Sequence, residues 1–449
     1  MNFAVRNQTT VHLPEQTLIL PKFELTEGEI VGIFGPSRAR IDLLLRLFGA
    51  SLPSDGSSLP PLPGHIKQRN SEVDLTTLPI YLGDSQIYQD EQIHKEIGAV
   101  FSDPDVNIFG RTVLEDYLNA LLAVEAPAEQ QIAIASLRHF GLSEKLDRQT
   151  EVLSGGEKQR LNCASALVGC RRLFVGDFTS ATLDEEFKVF MCKTIKSFAE
   201  DGGMAIIGGL DLDDQNLIGI SRWFRIAIVN GAAEVIEKTP DLRYQKGRAA
   251  ESESLKNLLQ KRAIGENTIL TATSVRRRSI TQPLSLSIRS GEIVILIGSN
   301  GVGKSTFGQI IVGQIKGKKV EGSFNLAEGI KPVMATQSPS EMLLGLNLYS
   351  ELPDLSLRKL CGLASKHDEK LDPRGFSYGT QKLIGITNAL RLSSGLVILD
   401  EPTSGMDFEQ KKLFVEMLNH FPNHAILIIT HDPSVLVLGR IVELQETRQ

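Results

Sequence analysis

The 449-residue chain has little that would tie it to a bilayer or send it out of the cell. No apolar run approaches the roughly 20 residues that a membrane-spanning helix needs, so we expect that the chain does not cross a membrane by itself. The segment from Met1 to Leu20 lacks the basic-then-apolar order of a secretory signal, and a cytosolic location is therefore predicted.

Cysteine is also scarce, and acidic residues outnumber basic ones. The four cysteines form no CxxC pair and lie within or beside apolar stretches, where cysteine usually packs as a small hydrophobe, so neither a disulfide nor a structural metal site is expected. The net charge of −6 disfavours a broad polyanion-binding surface, although one short basic run exists at Arg276–Arg278. Nucleic acid is not the expected partner.

What the chain does contain is an internal repeat, and its length favours about two domains. Each half has, in the same order, an apolar strand ending in Gly, an S-x-G segment and an apolar strand ending in Asp. The number of residues between Asp177 and Asp400 equals the number between Asp184 and Asp407, so the later parts of the two halves align without gaps. We predict a first module over residues 1–240, a connector over 241–266 and a second module over 267–449.

The apolar runs in each half are short and alternate with helix-compatible stretches, a pattern typical of parallel α/β sheets. The stretch from Ser51 to about Pro79 is rich in Ser and Pro and has little periodicity. We interpret it as a surface insertion of the first module.

The segment GSNGVGKST follows an apolar strand and precedes a helix-compatible stretch, the context that a phosphate-binding loop requires. Gly301 and Gly303 allow the backbone N–H groups to face phosphates, Lys304 reaches the β and γ phosphates, and Ser305 ligates magnesium. The predicted ATP contacts are Gly298, Ser299, Asn300, Gly301, Val302, Gly303, Lys304, Ser305 and Thr306.

Further polar residues follow buried strands of the second half. Asp400 is expected to hold Mg²⁺ through water, and the adjacent Glu401 to act as the general base. An Asp-Glu pair after a strand is more often a solvated strand end, but the phosphate loop upstream favours the catalytic role. His431 is predicted to contact the γ phosphate and fix the attacking water, and Gln337 to sense that phosphate through magnesium.

Together these segments resemble the ATP-binding cassettes of ABC proteins, whose characteristic signature is the segment LSGGEKQR from Leu153. The resemblance implies an α/β fold of two tandem nucleotide-binding domains, each a P-loop NTPase core with a small helical subdomain. It implies that cassettes pair head to tail, so Ser154, Gly155 and Gly156, with the loop at Asp184, would close on ATP held by the second module. The alternative is an ordinary helix cap at Ser154.

The two modules depart from the family pattern in complementary ways. The first has Arg40, Ile41 and Asp42 in its phosphate loop, and it has Ser102, Phe178 and Leu210 in place of Gln, Glu and His. The second keeps this machinery but has Tyr378 at a glycine of its signature. Pairing within the chain therefore predicts one competent composite site and one degenerate site. Residues 268–281 contain no aromatic to stack on adenine, so Arg276–Arg278 are the candidates for that contact.

The segments Val100–Asp116 and Gln337–Glu351 look like the corresponding segments of energy-coupling-factor importers. That resemblance implies a transmembrane scaffold protein and a membrane subunit that captures a vitamin or metal ion, with this chain on the cytoplasmic face. Asp103, Asp105 and Glu341 are candidate contacts for basic residues of the scaffold, unless they form a solvated acidic loop. The rival hypotheses are a soluble mechanical ATPase acting on a ribosome, nucleic acid or enzyme, and a nucleotide sensor.

Overall fold

In the computed structural model the chain forms two compact units, residues 1–245 and 246–449. The structure describes residues 2–13, 17–35, 40–50, 75–90, 92–101, 104–168, 171–178, 185–208, 219–230, 232–239, 247–277, 282–298, 302–315, 320–366 and 368–444. No helix among these residues is both long enough and apolar enough to cross a membrane.

The first unit contains twelve strands among its described residues. They are β1 Asn2–Val5, β2 Thr9–His12, β3 Thr17–Leu20, β4 Phe23–Thr26, β5 Ile30–Phe34, β6 Ile80–Leu82, β7 Ser85–Gln86, β8 Ile97–Val100, β9 Leu173–Asp177, β10 Met204–Gly208, β11 Arg222–Val229 and β12 Ala232–Glu237. Five of them form a parallel run in the order β11-β5-β10-β9-β8, which β12, β3 and β2 extend. Strands β4, β1, β6 and β7 form a second, antiparallel sheet.

The helices described in this unit are α1 Ile41–Phe48, α2 Val113–Ala123, α3 Gln130–His139, α4 Gly155–Ala166 and α5 Glu185–Glu200. Helix α1 packs against β9 and β10, while α2, α3 and α4 pack on one another. This second group is the helical subdomain that the sequence resemblance predicts.

The second unit repeats the parallel core. Its described strands are β13 Thr268–Arg276, β14 Leu284–Arg289, β15 Ile293–Gly298, β16 Glu321–Leu326, β17 Val333–Ala335, β18 Leu396–Asp400, β19 Ala425–Ile429 and β20 Arg440–Leu444. The order β17-β18-β19-β15-β20 is the order found in the first unit, and all four pairings are parallel. Strands β18 and β19 are buried at every residue, as expected for a parallel sheet covered on both faces. The prediction of two α/β modules is confirmed.

Six helices are described in the second unit: α6 Gly247–Leu258, α7 Lys304–Ile311, α8 Leu348–Glu351, α9 Leu355–Leu360, α10 Tyr378–Leu392 and α11 Phe408–His420. Helix α10 packs against α9 and α11, and also against β17 and β18. It therefore contacts both the helical part of the unit and the strands whose ends carry the predicted site.

Each unit also has antiparallel strands that the parallel-sheet prediction did not include. In the second unit β14, β13 and β16 form a three-stranded sheet. Along β14, buried Leu and Ile residues alternate with exposed Ser and Arg residues. This period of two is typical of an antiparallel sheet with one buried face, whereas the continuous apolar runs on which the prediction rested belong to the parallel core.

The predicted surface insertion ends earlier than Pro79. Residues 51–74 lie outside the described part of the chain, but Leu75 and Leu78 are buried in the core of the first unit. The Gln86 amide donates hydrogen bonds to the carbonyls of both leucines, which fixes this short segment. The physical reason is that a leucine in a Ser/Pro-rich stretch can still lie in the core when a neighbouring side chain hydrogen-bonds its backbone carbonyl.

Most of the predicted connector packs on the second unit. Leu255 of α6 is fully buried there, against the segment Pro433–Leu438 and α11. Arg262 then donates to four carbonyls, those of Gly291, Leu418, Phe421 and His424. Its side chain thereby satisfies helix-end and turn acceptors, a role that the charged composition of this stretch did not reveal.

Candidate functional site

The loop after β15 is bounded by glycines that its backbone requires. Gly298 has φ +151°, and a Cβ built on it would lie 2.4 Å from the Leu444 carbonyl oxygen. Gly303 has φ +105° and caps α7. Residues 299–301, which include the predicted contacts Ser299, Asn300 and Gly301, lie outside the described residues. The loop thus leads from the carboxyl end of the sheet into a helix N-terminus, where N–H groups favour an anion.

Lys304 is the first residue of α7, and its side chain is almost entirely buried. Its Nζ donates to the Gly298 carbonyl at 2.7 Å and lies 2.8 Å from Nε2 of His431. Burial lowers the pKa of Lys304, and the charges of Asp400 and Glu401 oppose that shift. The amine therefore lies against the Gly298 end of the phosphate loop and beside His431.

The other predicted loop residues divide by burial. Val302 is buried in the core, where its side chain packs near Gly298, so it supports the loop through its side chain. Ser305 and Thr306 are half-buried in the first turn of α7. Only these two carry hydroxyls that can face a ligand among the described residues of the loop.

Asp400, at the end of β18, and Ser305 are brought together. The Ser305 side chain hydrogen-bonds the Asp400 carboxylate, and burial raises the pKa of Asp400 against the effect of this bond and of two lysines. Hydroxyl and carboxylate oxygens are ligands that Mg²⁺ accepts. No group of three or more His, Cys, Asp and Glu that could hold a metal occurs among the described residues. A magnesium ion here would need phosphate or water oxygens as well, which is its usual habit.

Glu401 has a backbone conformation that is rare for a residue with a side chain. Its φ is +46°, which costs on the order of 1–3 kcal/mol and persists only where the surroundings enforce it. Its carboxylate accepts from the Thr430 hydroxyl at 3.1 Å and from the His431 N–H at 3.4 Å. Burial and the neighbouring Asp400 raise the pKa of Glu401 to about 7. A carboxylate with that pKa is suited to accept a proton near neutral pH.

His431 lies beside both the lysine and the glutamate. Its Nε2 is 4.0 Å from Glu401 Oε1, and its side chain is nearly half exposed. The residue also lines an open depression together with Ile297, Gly298, Thr430, Leu436 and Glu443. The imidazole is therefore accessible from solvent next to the phosphate loop, where a ligand could reach it.

The side chain of Tyr378 contacts the backbone of Gln337. The Tyr378 hydroxyl donates to the Gln337 carbonyl at 3.0 Å, and the Gln337 side chain is half-buried. Tyr378 occupies the signature position where the resemblance expects glycine. Its ring therefore fixes the segment in which Gln337 lies, within the same unit.

Lys382 is a residue that sequence reasoning missed. It lies on α10, is 1% exposed, and donates from Nζ to the carbonyl of Glu401. Burial lowers the pKa of Lys382 to about 8, opposed by Glu401 and Asp400. The signal was available, because Lys382 aligns in the repeat with Gln159 of the intact signature and interrupts an apolar helix.

The first unit has a different arrangement at the corresponding loop. Arg40 has φ +56°, and its guanidinium holds the Asp42 carboxylate with two short bonds of 3.0 and 2.9 Å. Burial would raise the pKa of Asp42, but the Arg40 charge and hydrogen bonds lower it overall. Ile41 is buried against Gly208 and Phe178 against Phe174. An internal ion pair and apolar packing stand where the second unit has Lys304, Ser305 and Glu401; Ser102 and Leu210 lie outside the described residues.

The intact signature forms the start of α4. The Ser154 hydroxyl accepts from the Glu157 N–H while the Glu157 carboxylate accepts from the Ser154 N–H, a capping box. Ser154 is exposed, and Gly155 and Gly156 are half-buried. The cap and an anion-binding role are compatible, since both use the N-terminus of the helix. Asp184 lies outside the described residues.

Two turns expose large apolar side chains to solvent, and the sequence did not indicate this exposure. Phe109 is 83% exposed in the first unit, and Leu344 is 84% exposed in the second. In the first unit the N–H groups of Phe109 and Gly110 donate to buried Asp116. In the second unit those of Leu344 and Gly345 donate to Glu351, which also accepts from Asn388 of α10 at 2.7 Å.

The acidic residues that the sequence predicts as contacts for a scaffold protein differ in exposure and pairing. Asp105 forms an ion pair with Lys158 at 2.6 Å, so its charge is already compensated within the unit. Glu341 is exposed, and Asp103 lies outside the described residues. Of the basic candidates for the adenine contact, Arg276 is exposed and Arg277 half-buried, while residue 278 is outside the described residues.

Comparison with protein families links both units to one group. The model described as ABC transporter matches residues 21–179 and 281–342. A model of an AAA-domain family, which is described with candidate AbiEii toxins of type IV toxin–antitoxin systems, matches residues 330–437. The matches therefore include the loops of both units.

Relatives and solved structures agree with this. Candidate ABC transporter ATP-binding proteins of Clostridium perfringens and Vibrio parahaemolyticus are each 24% identical, over 92% and 96% of this chain and 82% and 84% of their own. A chain of ribosome-bound archaeal Pelota and ABCE1 is similar in structure with TM-score 0.59, 18% identity and coverage of 97% and 77%. The RNase-L inhibitor has TM-score 0.52, 18% identity and coverage of 97% and 88%. At this identity the structures show a shared fold alone.

Proposed function

Because the chain belongs to the ATP-binding cassette family and is an ATPase of that family, we propose that its second unit carries the hydrolytic site and that hydrolysis drives an energy-coupling-factor-type membrane transporter. The relatives named for ABC transporters support this class of partner. The observation that carries the proposal is the pair of exposed apolar side chains, Phe109 and Leu344, on corresponding turns of the two units.

The second unit has the groups that phosphoryl transfer to water requires. Lys304, at the mouth of the phosphate loop, neutralises the β and γ phosphates and orients them. Magnesium, when bound, would spread the phosphate charge; Ser305 would ligate it, and Asp400 and Gln337 would hold it through water. These residues position the phosphates and make the terminal phosphorus open to attack by water.

Glu401 accepts the proton of the attacking water. Its carboxylate is held by Thr430 and by the His431 N–H, so it keeps a fixed direction. The His431 imidazole, close to the Lys304 amine, holds the same water and the γ phosphate. Positioning and charge stabilisation supply most of the catalysis in this class of reaction.

The first unit contributes binding rather than chemistry. Its Ser154, Gly155 and Gly156, with the loop at Asp184, donate hydrogen bonds to the γ phosphate when the two modules pair head to tail. Among the described residues of its own loop, the Arg40–Asp42 ion pair and the buried Ile41 stand where the second unit has Gly303, Ser305 and Lys304. One nucleotide is hydrolysed per closure, and the protein passes the resulting motion to its partner.

Each unit offers its own exposed turn to the partner, and we call the apolar side chains of these turns the apolar platform: Phe109, Leu344 and Leu346. Leu346 is 68% exposed next to Leu344. Buried carboxylates hold the backbone of each turn, so these side chains stay exposed without disturbing the core. Helices of a transmembrane scaffold supply an apolar surface that would cover them, and the chain would then lie on the cytoplasmic face of the membrane, with cargo captured by a separate membrane subunit.

The test is capture from detergent-solubilised host membranes with tagged Glu401→Gln protein, ATP and Mg²⁺. We expect a polytopic membrane protein to co-purify, and a Phe109→Asp/Leu344→Asp variant to lose it, because charged side chains cannot be buried against apolar helices. Leu122→Asp, at a side chain 61% exposed on α2, is the matched control and should retain the partner. The unfolding midpoint should be similar for all three proteins. Capture of only ribosomes, nucleic acid or a soluble enzyme would overturn the proposal.

A further inference from the structure

Helix α10 begins with a signature segment in which Tyr378 replaces one of the two glycines, and two side chains of this helix contact the site of their own unit. The Tyr378 hydroxyl bonds the carbonyl of Gln337 at 3.0 Å, and the Lys382 amine bonds the carbonyl of Glu401. The Lys382 Nζ also lies 5.5 Å from the centre of the Tyr378 ring. Two consecutive turns of one helix thus reach the backbone of two predicted site residues.

We propose that Lys382 is a positioning residue that holds Glu401 in its catalytic orientation, and that Tyr378 does the same for Gln337. The inference rests on the proposed role of Glu401 as the base. It gives the degenerate signature of the second unit a function within that unit.

The backbone of Glu401 explains why such a group is needed. Its φ of +46° is unfavourable for a residue with a Cβ, so the peptide relaxes unless a partner holds it. The Glu401 N–H already donates to the Ile429 carbonyl at 2.8 Å. Lys382 holds the carbonyl on the other side of the same residue, so both sides of the Cα are fixed.

The burial of Lys382 argues against a merely incidental contact. A lysine that is 1% exposed is a costly core residue, and an apolar side chain of similar length would pack there without that cost. The amine is compensated by the Glu401 carbonyl and by the nearby carboxylates of Asp400 and Glu401. A charge-assisted bond is shorter and stronger than a neutral one, which suits a group that must hold a strained peptide.

The first unit supplies an internal comparison. Gln159, the residue of α4 that aligns with Lys382 in the repeat, donates its amide to the Phe101 carbonyl at 3.3 Å. That unit has Phe178 where the second has Glu401, and Phe178 cannot accept a proton. The amine therefore occurs in the unit that has a catalytic carboxylate to hold, and the neutral amide in the unit that has none.

The experiment compares Lys382→Met and Lys382→Gln with wild type in steady-state ATPase assays, ATP binding and thermal unfolding of the full chain. Loss of positioning should lower kcat by about 10-fold to 100-fold while KM and ATP affinity change less than about twofold. Lys412→Met removes a partly exposed lysine that pairs with Glu409 and is the charge control. Tyr378→Phe, which removes only a hydroxyl, should lower kcat by less and raise the Mg²⁺ concentration needed for half-maximal turnover.

Two outcomes would overturn the inference. The first is a kcat within about twofold of wild type in both folded Lys382 variants. The second is a loss of ATP affinity as large as the loss of kcat, which would indicate a general structural role. If the Lys382 variants unfold, unchanged turnover and Mg²⁺ dependence in Tyr378→Phe would count equally against it. Glu401→Gln separates the two proposals, because substantial turnover in that variant refutes the base itself rather than its positioning.

Discussion

Ile41 begins the first helix of the first unit, and Lys304 begins the helix that follows the corresponding strand of the second. Phe178 and Glu401 likewise follow corresponding strand ends, after Asp177 and Asp400. In both places the first unit has an apolar side chain and the second has an ionisable one, buried in Lys304 and half-buried in Glu401. The order of the parallel core strands is the same in both, so the fold does not depend on the proposed catalytic residues.

The difference shows how a cassette can lose chemistry and keep its architecture. Buried charges cost free energy unless they compensate one another, and in the second unit two lysines lie near two carboxylates. The first unit has no such cluster among its described residues at the corresponding loop; Arg40 and Asp42 neutralise each other instead. A degenerate site can therefore be a well-packed one.

The largest expected effect in the comparison of the two units is that of Glu401→Gln on ATP turnover, because this change removes the proposed catalytic base of the competent site. We expect turnover to fall by at least about 100-fold, because an amide cannot accept the proton of water, while ATP remains bound. ATP hydrolysis and equilibrium binding measure the two effects. Asp177→Asn changes the corresponding strand end of the first unit and should leave turnover within about twofold of wild type; a large loss there would refute the single-site hypothesis.

The next change tests whether the first unit contributes its signature. Ser154→Ala removes a hydroxyl that would donate to the γ phosphate, and a bond to a charged group corresponds to a loss in kcat/KM of about 10-fold. The matched variant is Ser377→Ala, at the aligned position of the second signature, which should change kcat/KM by less than about twofold. Equal effects of the two variants on kcat/KM would contradict the proposed asymmetry. Ser154 also caps α4, so its unfolding midpoint must be measured in parallel.

The smallest effect concerns stability alone. Arg40→Ala leaves the half-buried Asp42 carboxylate without its partner and should lower the free energy of unfolding of the first unit by about 1.5–3 kcal/mol, measured by urea denaturation. The folded pKa of Asp42 is below its ordinary 3.8, so the pair stabilises fully above that pH and its contribution is lost as the pH falls further. Arg40→Gly/Asp42→Ser removes both charges and should cost less. A larger cost for the double variant would show that the ion pair is not the stabilising element.

Much of the architecture could be predicted from the sequence. The repeat with its constant offset, and the fully apolar strands ending at Asp177 and Asp400, indicate two parallel α/β cores. The phosphate loop is local in sequence, so its strand, glycines and helix start follow from one motif. The contact between Lys304 and His431 also follows from topology, because the ends of neighbouring parallel strands meet at one edge.

What could not be predicted depends on contacts between distant segments. The repeat alignment marks Lys382 as unusual, but its bond to the Glu401 carbonyl depends on how α10 packs against β18. The sequence makes Asp105 either a candidate partner contact or part of a solvated acidic loop, and neither interpretation includes its ion pair with Lys158, far along the chain. The exposure of Phe109 and Leu344 also could not be predicted from the sequence, because large apolar residues are usually assigned to a core.

Asn388 of α10 bonds Glu351, the carboxylate that holds the platform turn at Leu344 and Gly345. The same helix bonds Glu401 through Lys382, so this turn of the platform and the catalytic loop are both held by one helix. Thermodynamic linkage then works in both directions. If a partner and ATP both favour the conformation in which α10 holds Glu401, ATP binding strengthens partner binding. Partner binding then strengthens ATP binding by the same factor.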